Sequence, residues 1–303
     1  MNKLLKVSIG IPAYNEQANI KNLINNLLRQ EKKGFTLNEI IVVSDASTDE
    51  TLTKLYEIKS NKIKIIKNRA RLGQAKSQNK ILKTFQGDIL VLLNADVVPC
   101  DSRFIMNIIK PFMVNKNVGL VGAKILPVMP TKFLEKVLFQ SMKIKTELFE
   151  SLNKGSNIYL CVGRGRAFSK EFAKKMTWPD IVTEDAFSYL ECIRQGYKFS
   201  YASKAIVNYK LPSTFEDHVG QSVRFMISKD ELKEYFSKDL INTQYKLPFI
   251  KKTKSILKFM LLNPLIFTLY IVILIWTNKL VSKNKYSSSR WNISQTSKVD
   301  LSR

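Results

Sequence analysis

The first half of the chain alternates short apolar runs with segments in which apolar residues recur every three or four positions. The apolar runs predict strands at residues 6–11, 39–43, 63–67 and 89–93. Helical spacing is found between them, at residues 17–30, from Ser47 through a capping box with Glu50, and at 75–84. This repeated strand-helix-strand order predicts an α/β fold with a mostly parallel central sheet that is flanked by helices.

The second half is richer in predicted helices. Their spacing is found at residues 101–115, 132–150, 186–195 and 214–236, and extended segments are predicted at 119–126, around Phe199 and around Val207. The helix at 132–150 alternates apolar and basic residues, so it could lie at a membrane surface, although packing on the sheet is the favoured interpretation.

Residues 259–276, FMLLNPLIFTLYIVILIW, carry no charge and are just long enough to span a bilayer. Asn263 and Pro264 predict a kink, and a re-entrant or surface-lying helix is the alternative. Lysines flank both ends almost equally, so they do not fix an orientation. We therefore expect four regions: an α/β domain at 1–212, an interfacial helical region at 213–250, a membrane segment at 256–276, and a polar basic tail at 277–303. Within this tail, residues 287–303 are predicted to be disordered.

The 303-residue chain has a formal net charge of +24. Such a charge favours an anionic partner: a nucleic acid, an acidic membrane surface or a phosphorylated substrate. No pattern typical of a nucleic-acid-binding motif is present, so we expect no nucleic acid partner. The three cysteines lack C-x-x-C spacing, and the amino terminus lacks the apolar region of a signal peptide, which together predict reduced thiols in a cytosolic compartment.

Polar side chains follow three of the predicted strands at their carboxyl ends, where open α/β sheets bind ligands. They are Tyr14 and Glu16, then Asp45, then Asn94 and Asp96. Asp96 is a hard oxygen ligand suited to Mg²⁺ or Mn²⁺, ions that commonly bridge the phosphates of a nucleotide. Asp45 suits the edge of a base and Arg71 a phosphate, although Asn and Asp are also ordinary turn formers. Neither a P-loop nor a dinucleotide-binding glycine pattern follows the first strand.

Three further groups are candidates for function. The turn at 161–166, Cys-Val-Gly-Arg-Gly-Arg, could contribute to a polyanion or acceptor site, or be only a tight turn. Glu184 and Asp185 precede a helix, where carboxylates are also common as caps. His218 could bind a metal or a phosphate, but an ordinary histidine on a helix surface is the favoured interpretation.

Five motifs in order carry a family resemblance: IPAYNE at 11–16, VVSDASTDET at 42–51, NAD at 94–96, TED at 183–185 and QSVRF at 221–225. The chain resembles the family 2 glycosyltransferases of the GT-A fold over roughly residues 6–230. Within that family it is similar to the membrane-bound polysaccharide synthases that make cellulose, chitin and hyaluronan. Each motif alone is unspecific, whereas five in this order are specific.

The resemblance implies roles for particular residues. Asp45 would hold the uracil of a UDP-sugar, Asp96 would bind the Mg²⁺ or Mn²⁺ ion that bridges the diphosphate, and Asp185 would be the base that deprotonates the acceptor. The donor site would also include Pro12, Ala13, Tyr14, Glu16, Arg71 and Asn94. The pyrophosphate and acceptor end would be closed by Glu184, Gln221, Arg224 and Phe225.

We therefore expect an inverting, metal-dependent glycosyltransferase on the cytoplasmic side of the cell membrane, with a lipid-linked or growing glycan as its acceptor. Asn94 replaces the first aspartate of the family's D-x-D motif, and Phe225 replaces its usual tryptophan. Two alternatives stay open: a polyprenyl-phosphate sugar synthase, which would lack the Q-x-x-R-aromatic element, and a catalytically inactive basic module that binds membranes or polyanions.

Overall fold

In the computed structural model, the described part of the chain comprises residues 4–283, 296 and 298–301, without the side chains of 224–227 and 281–283. Eight strands of this part form one sheet in the order β3-β2-β1-β4-β7-β6-β8-β5. The strands are β1 Leu5–Ala13, β2 Phe35–Ser44, β3 Ile63–Lys67, β4 Ile89–Leu93, β5 Val97–Pro99, β6 Val118–Pro127, β7 Gly165–Ser169 and β8 Lys198–Tyr209. The four strands predicted in the first half of the chain are confirmed, and β1 and β2 are longer than predicted.

The sheet is parallel on one side and mixed on the other. Strands β3, β2, β1 and β4 pair in parallel. Strand β7 runs antiparallel to both β4 and β6, and β5 runs antiparallel to β8. The prediction of a mostly parallel sheet is therefore wrong beyond β4, because a run of buried residues looks the same whichever way its strand points.

Helices cover both faces of this sheet. They are α1 Ile20–Leu28, α2 Thr51–Tyr56, α3 Gln74–Thr84, α4 Phe104–Val114, α5 Phe133–Glu150, α6 Lys170–Lys174, α7 Glu184–Arg194, α8 Phe215–Leu232, α9 Lys238–Gln244, α10 Phe249–Leu262 and α11 Pro264–Lys283. Alternate residues of each central strand join different hydrophobic clusters: Val91 packs with α1, α4 and α5, while Leu90 and Leu92 pack with α3, α6 and α7. This alternation is what buries both faces of the sheet.

Two local predictions near the first loops are wrong. Helix α1 begins at Ile20 rather than at residue 17, and the capping box of Ser47 and Glu50 does not form. The hydroxyl of Ser47 instead accepts the backbone N–H of Asn15 at 3.2 Å. The serine therefore joins the loops after β1 and β2, an interaction between distant residues that local spacing cannot reveal.

The apolar segment at 256–276 is divided between α10 and α11. The predicted kink is confirmed, because Asn263 leaves the helical region (φ −145°, ψ 65°) immediately before Pro264. No helix among the described residues is both long and apolar enough to cross a membrane, so the predicted membrane-spanning segment is not borne out. Phe259 and Tyr270 are buried in the hydrophobic cluster that also contains residues of α5.

Arg166 on β7 has no solvent exposure at all. Its Nη1 donates to the carbonyl of Glu184 at 3.1 Å and to the hydroxyl of Ser188 at 2.7 Å. Its Nη2 donates to Oε1 of Gln78 at 3.4 Å and lies 3.9 Å from a carboxylate oxygen of Glu184. Because no ligand can reach it from solvent, the suggestion that this arginine contributes to a polyanion site is wrong. It fixes the start of α7 to the sheet.

His218 on α8 is half-buried, and its Nε2 has no hydrogen-bond partner among the described residues. Burial, with a smaller contribution from the charge of Lys145 on α5, lowers the pKa of His218 to about 4. His218 is thus partly covered by the helical layer, and its interpretation as an ordinary histidine of a helix surface stays a prediction.

Replacing Arg166 with Met should lower the free energy of unfolding by about 3–5 kcal/mol, because Glu184 would keep a partly buried charge and several acceptors would lose their donor. Denaturant titration measures this change. Arg69→Met is the matched control, since Arg69 is exposed and its loss should cost about 0.5 kcal/mol or less. Equal effects of the two substitutions would show that Arg166 does not anchor α7.

His218 should make the fold less stable in acid. The unfolded chain binds a proton at this group below about pH 6.5, whereas the folded chain does so only near pH 4, so stability is full above pH 6.5 and falls as the pH drops. We expect His218→Leu to remove about 2 kcal/mol of the loss in stability between pH 7 and pH 4.5. Urea unfolding of both proteins at the two pH values tests this, and identical pH dependence would contradict it.

Candidate active site

The loops after β1 and β2 form one rigid unit at the carboxyl edge of the sheet. Asn15 (φ 52°) and Ala46 (φ 57°) both adopt left-handed backbone conformations, which are uncommon for residues other than glycine. The side chain of Asn15 accepts the backbone N–H of Thr48 at 2.8 Å and so ties the two loops together. Such strained residues are typical of functional sites, where the surrounding contacts hold them.

Asp45 is buried at the end of β2, where the sequence predicted it. Its Oδ1 accepts Nδ2 of Asn68 at 2.6 Å and the backbone N–H of Leu72 at 2.8 Å, and its Oδ2 accepts the N–H of Gly73 at 2.8 Å. The carboxylate therefore orders the loop that carries Arg71. A contact between Asp45 and a donor base stays a prediction.

Arg71 lies beside the loop after β1. Its guanidinium carbon is over the Tyr14 ring, 4.2 Å from the ring centroid, a cation-π distance. A contact between Arg71 and a donor phosphate stays a prediction. Pro12 and Ala13 end β1 beside them, and the carbonyl of Ala13 accepts the N–H of Asp45 at 2.8 Å.

Asp96 lies between β4 and β5 and is held there through its neighbours. The side chain of Asn19 donates to the carbonyls of Ala95 at 2.8 Å and Val97 at 3.0 Å, which fixes the backbone on both sides. Oδ1 of Asp96 and Oε2 of Glu16 are buried and have no partner among the described residues. Burial, and next the negative charge of Asp96, raise the pKa of Glu16 to about 7.

These two carboxylates suit a divalent cation. Buried carboxylate oxygens without donors are stabilised by a positive charge, and carboxylates are the ligands that Mg²⁺ and Mn²⁺ prefer. The described residues contain no group of three or more His, Cys, Asp or Glu side chains that could hold a metal ion. An ion bound by Asp96 would therefore take most of its oxygen ligands from a diphosphate or from water.

Lys298, near the carboxyl terminus, is a site residue that the sequence did not reveal. Its Nζ lies 2.9 Å from Oε1 of Glu16 and donates to the carbonyls of Tyr14 and of Asn15, the latter at 2.7 Å. The prediction of a disordered tail is thus wrong for residues 298–301, which lie against the loop after β1. No motif surrounds this lysine, so only the structure could identify it.

Asp185 lies half-buried in the first turn of α7. Its Oδ2 accepts the backbone N–H of Gly163 at 3.1 Å, and its Oδ1 accepts that of Ala186 at 2.8 Å. The carboxylate of Glu231 on α8 accepts the N–H groups of Val182 at 2.8 Å and Thr183 at 3.1 Å. Helix α8 therefore holds the turn that presents Asp185.

Gln74 joins the two halves of the site. Its Nε2 donates to Oδ1 of Asn94 at 3.0 Å and to Oε1 of Glu184 at 2.8 Å. Asn94 is two residues from Asp96, and Glu184 is next to Asp185, so this one amide joins the two chain segments that carry the predicted carboxylates. The residue opens α3 after a loop, and its position in the sequence gave no signal of this role.

Arg164 lies on a turn that contacts the loop after β4, because its carbonyl accepts the N–H of Asn94 at 3.4 Å. Its guanidinium lies 4.1 Å from the centroid of the buried Tyr209 ring, and its Nε has no partner among the described residues. Burial raises the pKa of Tyr209 to about 12, while the charge of Arg164 lowers it and that of Asp96 raises it. Both arginines of the 161–166 turn thus lie by the site, but Arg166 is buried against Glu184 whereas Arg164 is only partly buried.

The remaining predicted residues lie on α8. Gln221 is half-buried there. The side chains of Arg224 and Phe225 lie outside the described residues, so their contact with a pyrophosphate or an acceptor stays a prediction.

Solved structures that share this fold include the following two. A mannosyltransferase from Pyrobaculum calidifontis, in complex with GDP-Man and Mn²⁺, has a TM-score of 0.59 and 18% identity over 93% of this chain and 80% of its own. Glucosyl-3-phosphoglycerate synthase from Mycobacterium tuberculosis, in complex with Mn²⁺, UDP and phosphoglyceric acid, has a TM-score of 0.55 and 15% identity over 76% and 78%.

Curated relatives point the same way. An uncharacterized glycosyltransferase of Methanocaldococcus jannaschii is 22% identical over 76% of this chain and 77% of its own. Poly-beta-1,6-N-acetyl-D-glucosamine synthase of Staphylococcus aureus is 25% identical over 78% of this chain, which spans only 58% of that protein.

The family model described as Glycosyl transferase family 2 matches residues 8–177, more than half of the chain. The match includes the loops that carry Glu16, Asp45 and Asp96. The chain therefore belongs to glycosyl transferase family 2 and is a glycosyltransferase with a GT-A fold.

Proposed function

We propose that the protein transfers a sugar from a UDP-sugar to a hydroxyl group of a lipid-linked or growing glycan, with inversion at the anomeric carbon and with the help of Mg²⁺ or Mn²⁺. The acceptor would lie at the cytoplasmic face of the cell membrane. The observation that supports this proposal is the bridge of Gln74 between Asn94 and Glu184, because it joins the segment of the candidate metal ligand to that of the candidate base.

The donor side is built to receive a nucleoside diphosphate. Tyr14 and Arg71 lie in contact beside the loop after β1, and the carbonyl of Arg164 accepts the N–H of Asn94. A divalent ion held by Asp96 would supply positive charge to the leaving diphosphate. The Mn²⁺ and UDP of the solved glucosyl-3-phosphoglycerate synthase support this assignment, although the mannosyltransferase holds GDP-Man.

Asp185 supplies the base. The acceptor oxygen would attack the anomeric carbon, the bond from that carbon to the diphosphate oxygen would break, and the hydroxyl proton would pass to the carboxylate of Asp185. The N–H groups of Gly163 and Ala186 hold this carboxylate in place. A single displacement of this kind inverts the configuration.

The acceptor class is supported by the Staphylococcus aureus relative, which is named as a synthase of a polymer of N-acetyl-D-glucosamine. The high positive charge of the chain suits the anionic cytoplasmic leaflet and phosphate-bearing lipid carriers. The alternative activity is that of a polyprenyl-phosphate sugar synthase. The products formed with a polyprenyl phosphate acceptor would distinguish it from transfer to a glycan.

Asp96→Ala should abolish the Mn²⁺-dependent part of UDP binding, because it removes the carboxylate proposed to hold the ion and leaves only Glu16, which already pairs with Lys298. Isothermal calorimetry with UDP, with and without Mn²⁺, measures this. Asn94→Asp should bind and turn over at least as well as the wild type, since an aspartate still accepts the hydrogen bond from Gln74. Asp230→Ala, at an exposed position on α8, is the control. Unchanged metal-dependent affinity in the Asp96 variant would place the ion elsewhere.

Asp185→Asn should reduce sugar transfer by about two to four orders of magnitude, because it removes the proton acceptor. Donor affinity and melting temperature should barely change, since the asparagine oxygen can still accept the N–H of Gly163. Asp239→Asn, in the first turn of α9, makes the same change at a helix start outside the site. Turnover near the wild-type value, or a joint collapse of folding and UDP binding, would show that Asp185 is only a cap. An inactive wild-type protein would favour the binding-module alternative.

A further inference from the structure

Helix α11 is apolar on the side that faces solvent as well as on the side that faces the protein. Its inner residues, among them Tyr270 and Ile273, pack on the hydrophobic cluster shared with α5. Its outer side exposes Leu265 (73%), Ile275 (59%) and Trp276 (64%). A helix that is apolar all round is normally covered on all sides, so the outer side of α11 requires an occupant.

Helix α10 extends this apolar surface. It packs against α11 and exposes large apolar side chains of its own. They are Phe249, Ile250, Ile256, Leu257, Met260, Leu261 and Leu262. We refer to the exposed apolar side of α10 and α11 as the hairpin surface.

The charge of residues 249–283, which form α10 and α11, indicates what covers the hairpin surface. Residues 249–283 contain six lysines and no acidic residue. A second copy of the chain would bring the same positive charge against it, which is unfavourable, whereas an anionic lipid layer is complementary in both polarity and charge. Trp276 lies three residues before Lys279, and an amphipathic ring next to a basic residue is typical of the boundary between lipid tails and headgroups.

We propose that the hairpin surface docks the protein on an anionic phospholipid bilayer, with α10 and α11 lying along the interface. Helix α11 also packs on α8, the helix whose Glu231 holds the turn before Asp185. The lipid surface would thus lie beside the acceptor half of the cleft, where the headgroup of a lipid-linked acceptor could reach it. This last step rests on the function proposed above, whereas the docking itself does not.

Sedimentation of the full-length protein with vesicles tests the docking. The probes are vesicles of phosphatidylglycerol mixed with phosphatidylcholine, and vesicles of phosphatidylcholine alone. We expect strong binding to the first, and at least about a tenfold loss of the bound-to-free ratio for the double variant Leu265→Asp, Ile275→Asp. The matched control is Tyr56→Asp, Val114→Asp, which alters two exposed apolar residues on α2 and α4 and should bind like the wild type.

The lysines are tested separately. Lys252→Gln, Lys254→Gln should weaken binding to the phosphatidylglycerol vesicles by about tenfold or more and leave the phosphatidylcholine result unchanged. Both positions are exposed on α10, so melting temperatures should match that of the wild type. Equal binding of all variants to anionic vesicles would overturn the proposal.

Light scattering without lipid identifies the competing occupant. A wild-type dimer that the Leu265→Asp, Ile275→Asp variant converts to a monomer, with vesicle binding unchanged, would assign the hairpin surface to a second copy and overturn the lipid assignment. UDP-sugar hydrolysis without vesicles should be the same in this variant and in the wild type. Loss of vesicle binding by the variant, together with no hydrolysis by either protein, would support docking and refute the proposed transfer.

Discussion

The buried guanidinium of Arg166 fixes the position of helix α7, which carries Glu184 and Asp185. Arg166 is fully enclosed, and its two terminal guanidinium nitrogens donate to Glu184, Ser188 and Gln78 from two different helices. Trp178 donates its indole N–H to the same carbonyl of Glu184 at 2.8 Å. A buried charge is tolerated only when such donors and acceptors are in place, so the start of α7, and with it Asp185, has one permitted position relative to the sheet.

The loops after β1 and β2, which would bind the donor, are held by hydrogen bonds rather than by a buried cation. These loops contain backbone strain at Asn15 and Ala46, which hydrogen bonds between the loops hold in place. Asp45 then orders the next loop through three hydrogen bonds. Each set of loops is thus held by its own hydrogen bonds, and Gln74 joins the two by contacting Asn94 and Glu184. In the function proposed above, this bridge would hold donor and acceptor at a fixed separation, as direct displacement requires.

The sequence predicted most of this site because its residues follow strand ends, and hydrophobic patterning locates strand ends well. Asp45, Asp96 and Asp185 were selected in that way or through the family motifs, and their roles stay predictions. Gln74, Glu231 and Lys298 were not, because each acts on a residue far away in the chain and no local pattern marks such a contact. Strand direction beyond β4 was missed for a similar reason, since pairing partners are decided by the whole sheet.

Helix α8 connects the chemistry to the surface of the protein. Its Glu231 accepts the N–H groups that precede Glu184, while the helix also packs on α11. Contacts on α11 and the backbone turn before Glu184 are thus joined through one helix. The loops after β1 and β2 are tied to each other instead, by the hydrogen bonds that Asn15 makes with Ser47 and Thr48.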